Sequence, residues 1–220
     1  MVVKNLNPLK KTLLLLLITI ALTLANSTLK VNAQTTKLSI LPSTVTINNP
    51  GEEVTVDLNI TEVTNLYGYE IKIYYLNSIV NATRVVRPPG HFMEPSDPAN
   101  QFIPKWEIKN NFNATHGQIW IGFTLLAPEA PKNGSGILAK ITFKGLSVGT
   151  TQVTIAYPGY QYPAKLVAKL DTTPSPIPNE AESGTIIVVP EFPSMAIPII
   201  LMIMFTAAYM LKTIHSKRKQ

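Results

Sequence analysis

The sequence predicts an all-β fold, an antiparallel sandwich of about nine strands, for the central part of its 220 residues. Several segments alternate strictly between apolar and polar residues, which is typical of strands with one buried face. Gly, Pro and Asn turns separate these segments. No stretch between Gln34 and Pro190 has a helical period, and parallel strands would need long, usually helical crossovers. These observations favour a sandwich over an α/β fold.

Four segments carry the clearest alternation: EVTVDLNIT (53–61), YGYEIKIYY (67–75), QIWIGFTLL (118–126) and GILAKITFKG (136–145). In the last of these, the alternation places Ile137 on the buried face and Leu138 on the outer face. Weaker patterns predict strands at 37–41, 81–86, 103–109, 151–156 and 185–189. The segment DTTPSPIPNEAESG (171–184) is predicted to be a loop or hairpin-like excursion, because prolines are excluded from central strands. One sandwich domain over residues 34–189 accounts for all of these elements.

The N-terminus, residues 1–33, is predicted to be a secretory signal peptide. Lysines at positions 4, 10 and 11 precede an apolar run over 12–25, and a polar stretch then ends in the small residue Ala33. The alternative is an uncleaved N-terminal anchor, for which the apolar run is short.

The C-terminal segment 194–211 carries no charge and reaches the lower length limit for a transmembrane helix. Pro198 lies near its start, where a missing backbone amide is tolerated. The basic tail 212–220 follows, and the positive-inside tendency places such a tail in the cytoplasm. We therefore expect a single-pass protein of the cell membrane or cell surface, with its N-terminus outside.

The net charge of +6 does not indicate a nucleic-acid partner. Many of the basic residues lie in the two terminal segments, whereas all 13 acidic residues lie between Glu52 and Glu191. The excess positive charge therefore comes from the terminal segments and not from the central domain, so a nucleic-acid partner is not expected. The chain has no cysteine, which excludes thiol chemistry and cysteine-ligated zinc.

No motif predicts catalysis, and we expect no cofactor and no bound metal. His91 lies in a predicted loop and His116 in a predicted turn, neither with the partner spacing of a helical metal site. Glu94 and Asp97 share one loop but are too few for a calcium shell of six to eight oxygens. The sequence contains neither a G-x-S-x-G motif nor a Gly-rich phosphate loop. The sequence thus predicts a protein that is not an enzyme.

Four sequons are candidates for N-glycosylation, a modification of exported chains. They begin at Asn59, Asn81, Asn113 and Asn133. Asn59 alternates with the apolar residues of its strand, so we expect it to point outward.

The segments NPGEEVTVDLNI, NLYGYEIKIYYLNSIV, GQIWIGFTLL and GSGILAKITFKGLSVGTTQVTI together resemble a cohesin domain. The resemblance covers roughly residues 37–189. The chain departs from it at Leu76-Asn77, where the family commonly has Asp-Pro, and in the excursion 157–184. The resemblance implies a jelly-roll sandwich that is non-catalytic and holds dockerin domains through one face, with calcium bound in the dockerin. Related sandwiches bind carbohydrate.

Residues Pro190, Glu191, Phe192 and Pro193 stand between the last strand and the apolar segment. This motif is similar to archaeal C-terminal sorting signals with a Pro-Glu-Phe core, at which a membrane enzyme cuts the chain and attaches it to lipid. The alternative is a juxtamembrane spacer before an ordinary anchor.

The strand order of a cohesin-like sandwich implies that the 67–75 and 118–126 strands share one sheet, opposite the sheet that contains Asn59. The outward residues of this sheet form the predicted binding face: Glu70, Lys72, Tyr74, Trp120 and Thr124. Exposed aromatic residues among charges are typical anchors of protein interfaces. In the alternative, the loop 91–105 covers Trp120 and the indole completes the core.

Three functions fit these observations. We expect a binding module that holds a dockerin-type or other protein partner at the cell envelope. The alternatives are a carbohydrate-binding module that retains polysaccharide at the surface, and a structural envelope component that binds its own kind.

Overall fold

The computed structural model describes residues 7–8, 12, 16, 35–168, 175–190 and 196–217. Apart from the four isolated positions near the N-terminus, the predicted signal peptide 1–33 lies outside the described residues. Of the predicted sorting motif, only Pro190 is described, and residues 191–193 lie outside. These two predictions are therefore not tested.

The described residues form twelve strands and one helix near the C-terminus, which we call α1. In chain order they are β1 (Thr36–Leu41), β2 (Thr44–Ile47), β3 (Glu53–Leu76), β4 (Val80–Val86), β5 (Gln101–Lys109), β6 (His116–Leu125), β7 (Lys132–Gly145), β8 (Gly149–Ile155), β9 (Lys165–Ala168), β10 (Ser175–Pro176), β11 (Asn179–Glu182), β12 (Gly184–Val188) and α1 (Ala196–Lys217). The prediction of a mostly β chain is confirmed. The segments 53–61 and 67–75, predicted as two strands, are parts of the single long strand β3.

Strand β3 belongs to both layers of the sandwich. Its first part pairs with β7 and β1, and its second part pairs with β6, β9 and β8. Between the two parts, Glu62 and Asn65 have left-handed φ angles of 58° and 59°, and the register with β7 shifts. Such irregularities bend a strand and increase its twist. Strand β5 pairs with β6 and extends the second layer.

Most strand pairs are antiparallel, as predicted, but two are parallel. Strand β1 pairs with β11, and β2 pairs with β12. Each of these pairs joins a strand near the start of the domain to one near its end. Parallel neighbours need a long connecting segment, and here the strands between them in the sequence provide it. The predicted antiparallel sandwich thus differs from the structure at these two pairs, which are parallel.

The core is built from the inward residues of the alternating strands, and it is mostly aliphatic with a few aromatic rings. Its fully buried members include Leu58, Ile71, Ile73, Ile119, Ile141, Tyr75, Phe123 and Phe143. The ring centroids of Tyr75 and Phe143 are 5.1 Å apart in an edge-to-face contact, a favoured geometry for aromatic pairs.

The alternation fails at one point in β7. Leu138 is fully buried and Ile137 is only partly buried, the reverse of the prediction. Leu58 pairs with Ala139 whereas the next residue, Asn59, pairs with Ile137, so one extra residue of β7 is accommodated there. Such a bulge shifts the alternation by one position.

Helix α1 overlaps the segment 194–211 that the sequence predicts to cross a membrane. Among the described residues, however, none of the helices combines the length and the apolar character that a bilayer crossing requires. The transmembrane prediction is not confirmed.

Candidate functional site

The five predicted site residues lie on one face of the second layer. Lys72 of β3 stands opposite Trp120 of β6, and Glu70 stands opposite Gly122. Directly opposed residues of an antiparallel pair share a face, so these side chains project together. Tyr74 and Thr124 lie two residues further along the same strands, on the same face. All five are partly exposed, and the structure brings them together as the sequence predicts.

Glu70 is the centre of this face. Its Oε1 accepts a hydrogen bond of 2.8 Å from Trp120 Nε1 and one of 2.7 Å from the Tyr157 hydroxyl. Its Oε2 pairs with Lys165 Nζ at 3.3 Å. Burial raises the pKa of Glu70, but the hydrogen bonds from Tyr157, Trp120 and Lys165 together outweigh burial and hold it below the ordinary value. The carboxylate is therefore ionised at neutral pH and fixes the orientation of two aromatic rings.

Lysine side chains lie over these rings. Lys72 Nζ is 4.5 Å from the ring centroid of Trp120 and 4.0 Å from that of Tyr157. Lys105 Nζ lies 4.6 Å from the Trp120 centroid. These distances are within the range of a cation–π attraction. Trp120 is thus held between charged neighbours and remains partly exposed, so the loop 91–105 contacts the indole through Lys105 without burying it in the core.

Sequence reasoning missed the contribution of β5. Phe102 is opposite Thr124, Lys105 is opposite Gly122, and Glu107 is opposite Trp120, so all three extend the same face. Phe102 is 56 % exposed, which makes it a large apolar contact point. The alternation of the weak segment 103–109 is the signal that identifies Lys105 and Glu107.

The excursion after β8 supplies the other missed residues. Strand β9 places Lys165 opposite Glu70. The rings of Tyr157, Tyr160 and Tyr162 follow one another edge to face, with centroids 5.8 Å and 6.0 Å apart. We call the surface formed by β5, β6, the second part of β3, β9 and these tyrosines the aromatic–lysine face. It carries four lysines against two glutamates: Lys72, Lys105, Lys109, Lys165, Glu70 and Glu107.

The two remaining predicted residues, Tyr74 and Thr124, are likewise engaged within the protein. The Tyr74 hydroxyl accepts a hydrogen bond of 2.9 Å from Gln118 Nε2, and its ring packs edge-on against Phe112 at 5.7 Å. The Thr124 hydroxyl donates to the Tyr67 carbonyl at 3.2 Å. Tyr74 therefore presents a fixed ring at one end of the face, whereas Thr124 acts mainly in holding the strands.

Three of the four candidate glycosylation sites lie outside the aromatic–lysine face, whereas Asn113 lies beside Tyr74 at its end. Asn59 stands between β1 and β7 in the other layer, and Asn81 lies in β4. Asn133 accepts a hydrogen bond from the Asn65 amide at 2.8 Å. Asn113 accepts hydrogen bonds from the Thr115 and His116 amides in the turn before β6. Whether sugar is attached to any of them stays a prediction.

Within the described residues, no group of three or more His, Asp or Glu side chains is placed to hold a metal ion. The two acids of the 87–100 loop are engaged with the backbone. Glu94 accepts from the Gly90 amide at 2.8 Å, and Asp97 accepts from the Ala99 amide at 2.9 Å.

Comparison with known proteins agrees with this architecture. The family model described as "Cohesin domain" matches residues 36–162. A search of curated protein sequences found no match.

Three solved structures share the fold. The cohesin CaCohA2 of Clostridium acetobutylicum, crystallised as a complex with CaDoc0917, is 24 % identical with a TM-score of 0.53, covering 70 % of this chain and 100 % of its own. The seventh ScaB type I cohesin of Pseudobacteroides cellulosolvens is 17 % identical with a TM-score of 0.51, covering 73 % of this chain and 96 % of its own. A type II cohesin from the cellulosome of Acetivibrio cellulolyticus is 15 % identical with a TM-score of 0.52, covering 69 % of this chain and 95 % of its own.

The family match spans more than half of the chain, and the strand pairing agrees with the sandwich expected of that family. The chain belongs to the cohesin domain family.

Proposed function

We propose that this chain is a non-catalytic binding module that holds a protein partner of the dockerin type on its aromatic–lysine face. Cohesins are protein-interaction modules, and CaCohA2 crystallised with a second protein, CaDoc0917. The observation that supports the proposal most is the exposed sheet surface on which Trp120 and Tyr157 are held by Glu70. Such fixed aromatic anchors lose little side-chain entropy when a partner binds.

The charge of the face indicates the kind of partner surface it fits. Lysines outnumber glutamates, so a partner patch with an excess of carboxylates would be attracted and would associate faster at low salt. Lys109 is the most accessible of the ion-paired lysines, with 49 % of its side chain exposed. The ring of Phe102 supplies apolar area beside these charges.

The proposal is tested by titrating the full chain with dockerin domains encoded in the same genome, with and without calcium. We expect calcium-dependent binding that a Trp120→Ala, Tyr74→Ala double variant weakens by about 100-fold or more, as for hot-spot aromatics. Leu146→Ala is a matched control, because Leu146 is 41 % exposed and lies outside the face. Unchanged partner binding by a double variant whose folding is verified by melting would exclude this face.

Two other outcomes would replace the proposal. Binding to a glycan array that soluble sugar quenches, without binding to any dockerin, would favour a polysaccharide-retaining module. Concentration-dependent self-assembly, without binding to any dockerin, would favour a structural envelope component.

We also propose that the sandwich functions outside the cytoplasm. The three-part pattern of residues 1–33 and the four sequons support export. Protease added to intact cells should then digest the domain, and protection of the domain until the cells are lysed would contradict export.

A further inference from the structure

A cleft lies on the opposite side of β5 from the aromatic–lysine face. The loop 87–100 joins β4 to β5 and forms, with β5, a cleft of about 870 Å³. Trp106 of β5 lines this cleft and stands opposite the buried Ile121, whereas its neighbours Lys105 and Glu107 point to the other face. Because successive strand residues alternate between faces, the two sites are separate. The cleft volume is within the range of small-molecule sites, about 300–1,000 Å³.

The walls of the cleft are fixed before any ligand arrives. Four prolines of the loop line it. Glu129 Oε1 accepts hydrogen bonds from the Ser96 amide at 3.0 Å, the Ser96 hydroxyl at 2.5 Å and Asn100 Nδ2 at 3.2 Å. Met93 inserts fully into the core, which attaches the middle of the loop. A preformed cleft avoids the entropic cost of ordering a loop on binding.

The cleft contains a guanidinium group with unused hydrogen-bond donors. Arg87 Nη1 donates to Gln101 Oε1 at 2.5 Å, the one hydrogen bond that the described residues provide to this side chain. No carboxylate of the described residues lies within ion-pair distance of it. Its carbon Cζ lies 5.7 Å from the ring centroid of Trp106 and 5.1 Å from that of Phe123, so two aromatic rings hold the group in place. A guanidinium presents five donors in a planar fork, which suits a carboxylate.

His91 adds a second unsatisfied polar group. The residue is 7 % exposed, lines the cleft, and its Nδ1 is buried without a hydrogen-bond partner. Burial, and secondarily the charge of Arg87, lowers the pKa of His91, so the imidazole is neutral at pH 7 and has one N–H to donate. A buried polar group without a partner costs free energy, but this nitrogen is closed to solvent and therefore does not contact a ligand directly.

The remaining polar residues restrict the ligand further. Glu94 also lines the cleft, and its charge disfavours a ligand with several anionic groups in close proximity. Gln101 and Ser96 also line the cleft. The Gln101 amide already bonds Arg87 and the Pro98 carbonyl, and the Ser96 hydroxyl already bonds Glu129, which leaves one amide N–H and the hydroxyl lone pairs for ligand hydroxyls. The Trp106 Nε1 donates to the Val85 carbonyl at 3.0 Å, which fixes the indole as a flat wall. A ring with one carboxylate and several hydroxyls matches this combination.

We propose that the cleft binds an acidic oligosaccharide, with the carboxylate of one uronate unit on Arg87 and its ring against Trp106. This inference is independent of the protein-binding proposal, because it uses the other face of β5. A module with both sites would hold a protein partner and an acidic glycan at the same time.

The test is calorimetric titration of the full chain with an α-1,4-linked trigalacturonate, and with the same trimer fully methyl-esterified. The ester keeps the rings and removes the charge, so we expect it to bind at least about tenfold more weakly. Arg87→Gln should weaken binding of the acid by about tenfold to a hundredfold, the effect of losing a charged hydrogen bond. Glu107→Gln, on the opposite face of the same strand, is the matched control and should change the affinity by less than about twofold.

Nitrogen-15 NMR of the His91 imidazole provides a readout on the unaltered protein, so the test holds even if Arg87→Gln does not fold. We expect the His91 nitrogen shifts to move on addition of trigalacturonate and to stay in place with the ester. The proposal is overturned if the acid trimer does not bind at about 10 mM, or if the ester binds equally well. It is also overturned if inorganic sulfate competes with equal affinity, or if the His91 signals do not move.

Discussion

Replacing Glu70 by alanine tests whether this carboxylate organises the aromatic–lysine face. The substitution removes the hydrogen bonds from Trp120 and Tyr157, each worth about 0.5–1.5 kcal/mol. It also removes the pair with Lys165, whose partly exposed geometry contributes about 0.2–1 kcal/mol. We expect Glu70→Ala to lower the free energy of unfolding by about 1–3 kcal/mol.

The measurement is urea unfolding of the full chain, with thermal melting as a second readout at about 2–4 °C per kcal/mol. Glu70→Gln keeps an oxygen acceptor but loses the charge, so its cost should be below about 1 kcal/mol. Glu53→Ala is the matched control, because Glu53 is an exposed glutamate on the same strand and should cost less than about 0.5 kcal/mol. The reasoning is refuted if Glu70→Ala costs no more than Glu53→Ala, or if the Gln variant is as destabilised as the Ala variant.

Three further predictions concern the core and the cleft loop. In Gly117→Ala the new Cβ would overlap the buried ring of Tyr75, so we expect the free energy of unfolding to fall by at least about 1–3 kcal/mol. An unchanged midpoint of urea unfolding would contradict this packing. Phe143→Ala should cost about 3–5 kcal/mol, since the ring is fully buried, and a cost below about 1 kcal/mol would show that the ring is not part of the core. Hydrogen bonds, chiefly from Ser96, lower the pKa of Glu129 in the folded protein. The ionised carboxylate therefore stabilises the fold at pH values above the unfolded-state pKa of about 4.3, and this stabilisation is lost as the pH falls through the lower folded-state pKa. The melting temperature of the wild type should therefore exceed that of Glu129→Gln at pH 7 and approach it below about pH 4, and a pH-independent difference would contradict the account.

The sequence was sufficient to predict most strands and the centre of the candidate site, and the reason is the two-residue period. Along β3 and β6, burial of every second residue identifies the inward set, and the remaining positions, among them Glu70 and Trp120, must project outward. The strands do not require knowledge of the long-range pairing, whereas placing Glu70 and Trp120 on one shared face depends on the strand order implied by the resemblance to cohesins.

The features that were missed depend on contacts between distant parts of the chain. Lys165 reaches Glu70 only because β9 pairs with β3 across 95 positions, and the proline-rich excursion has no period that predicts a strand there. Leu138 is buried because β7 contains a bulge, at which its register with β3 changes by one residue. The sequence of β7 itself contains no pattern that predicts this bulge. The shape of the cleft depends on the 87–100 loop, which is held by Glu129 from the connection between β6 and β7. No local sequence pattern predicts this contact.

Amide hydrogen exchange of the full chain, alone and with a bound dockerin-type partner, tests the central claim most directly. Binding on the aromatic–lysine face should slow exchange in residues 68–76 of β3, in β6 and in the 157–165 segment. Exchange in β2 and β12, which pair with each other elsewhere in the sandwich, should not change. Protection confined to β2 and β12, with none in β6, would contradict the account.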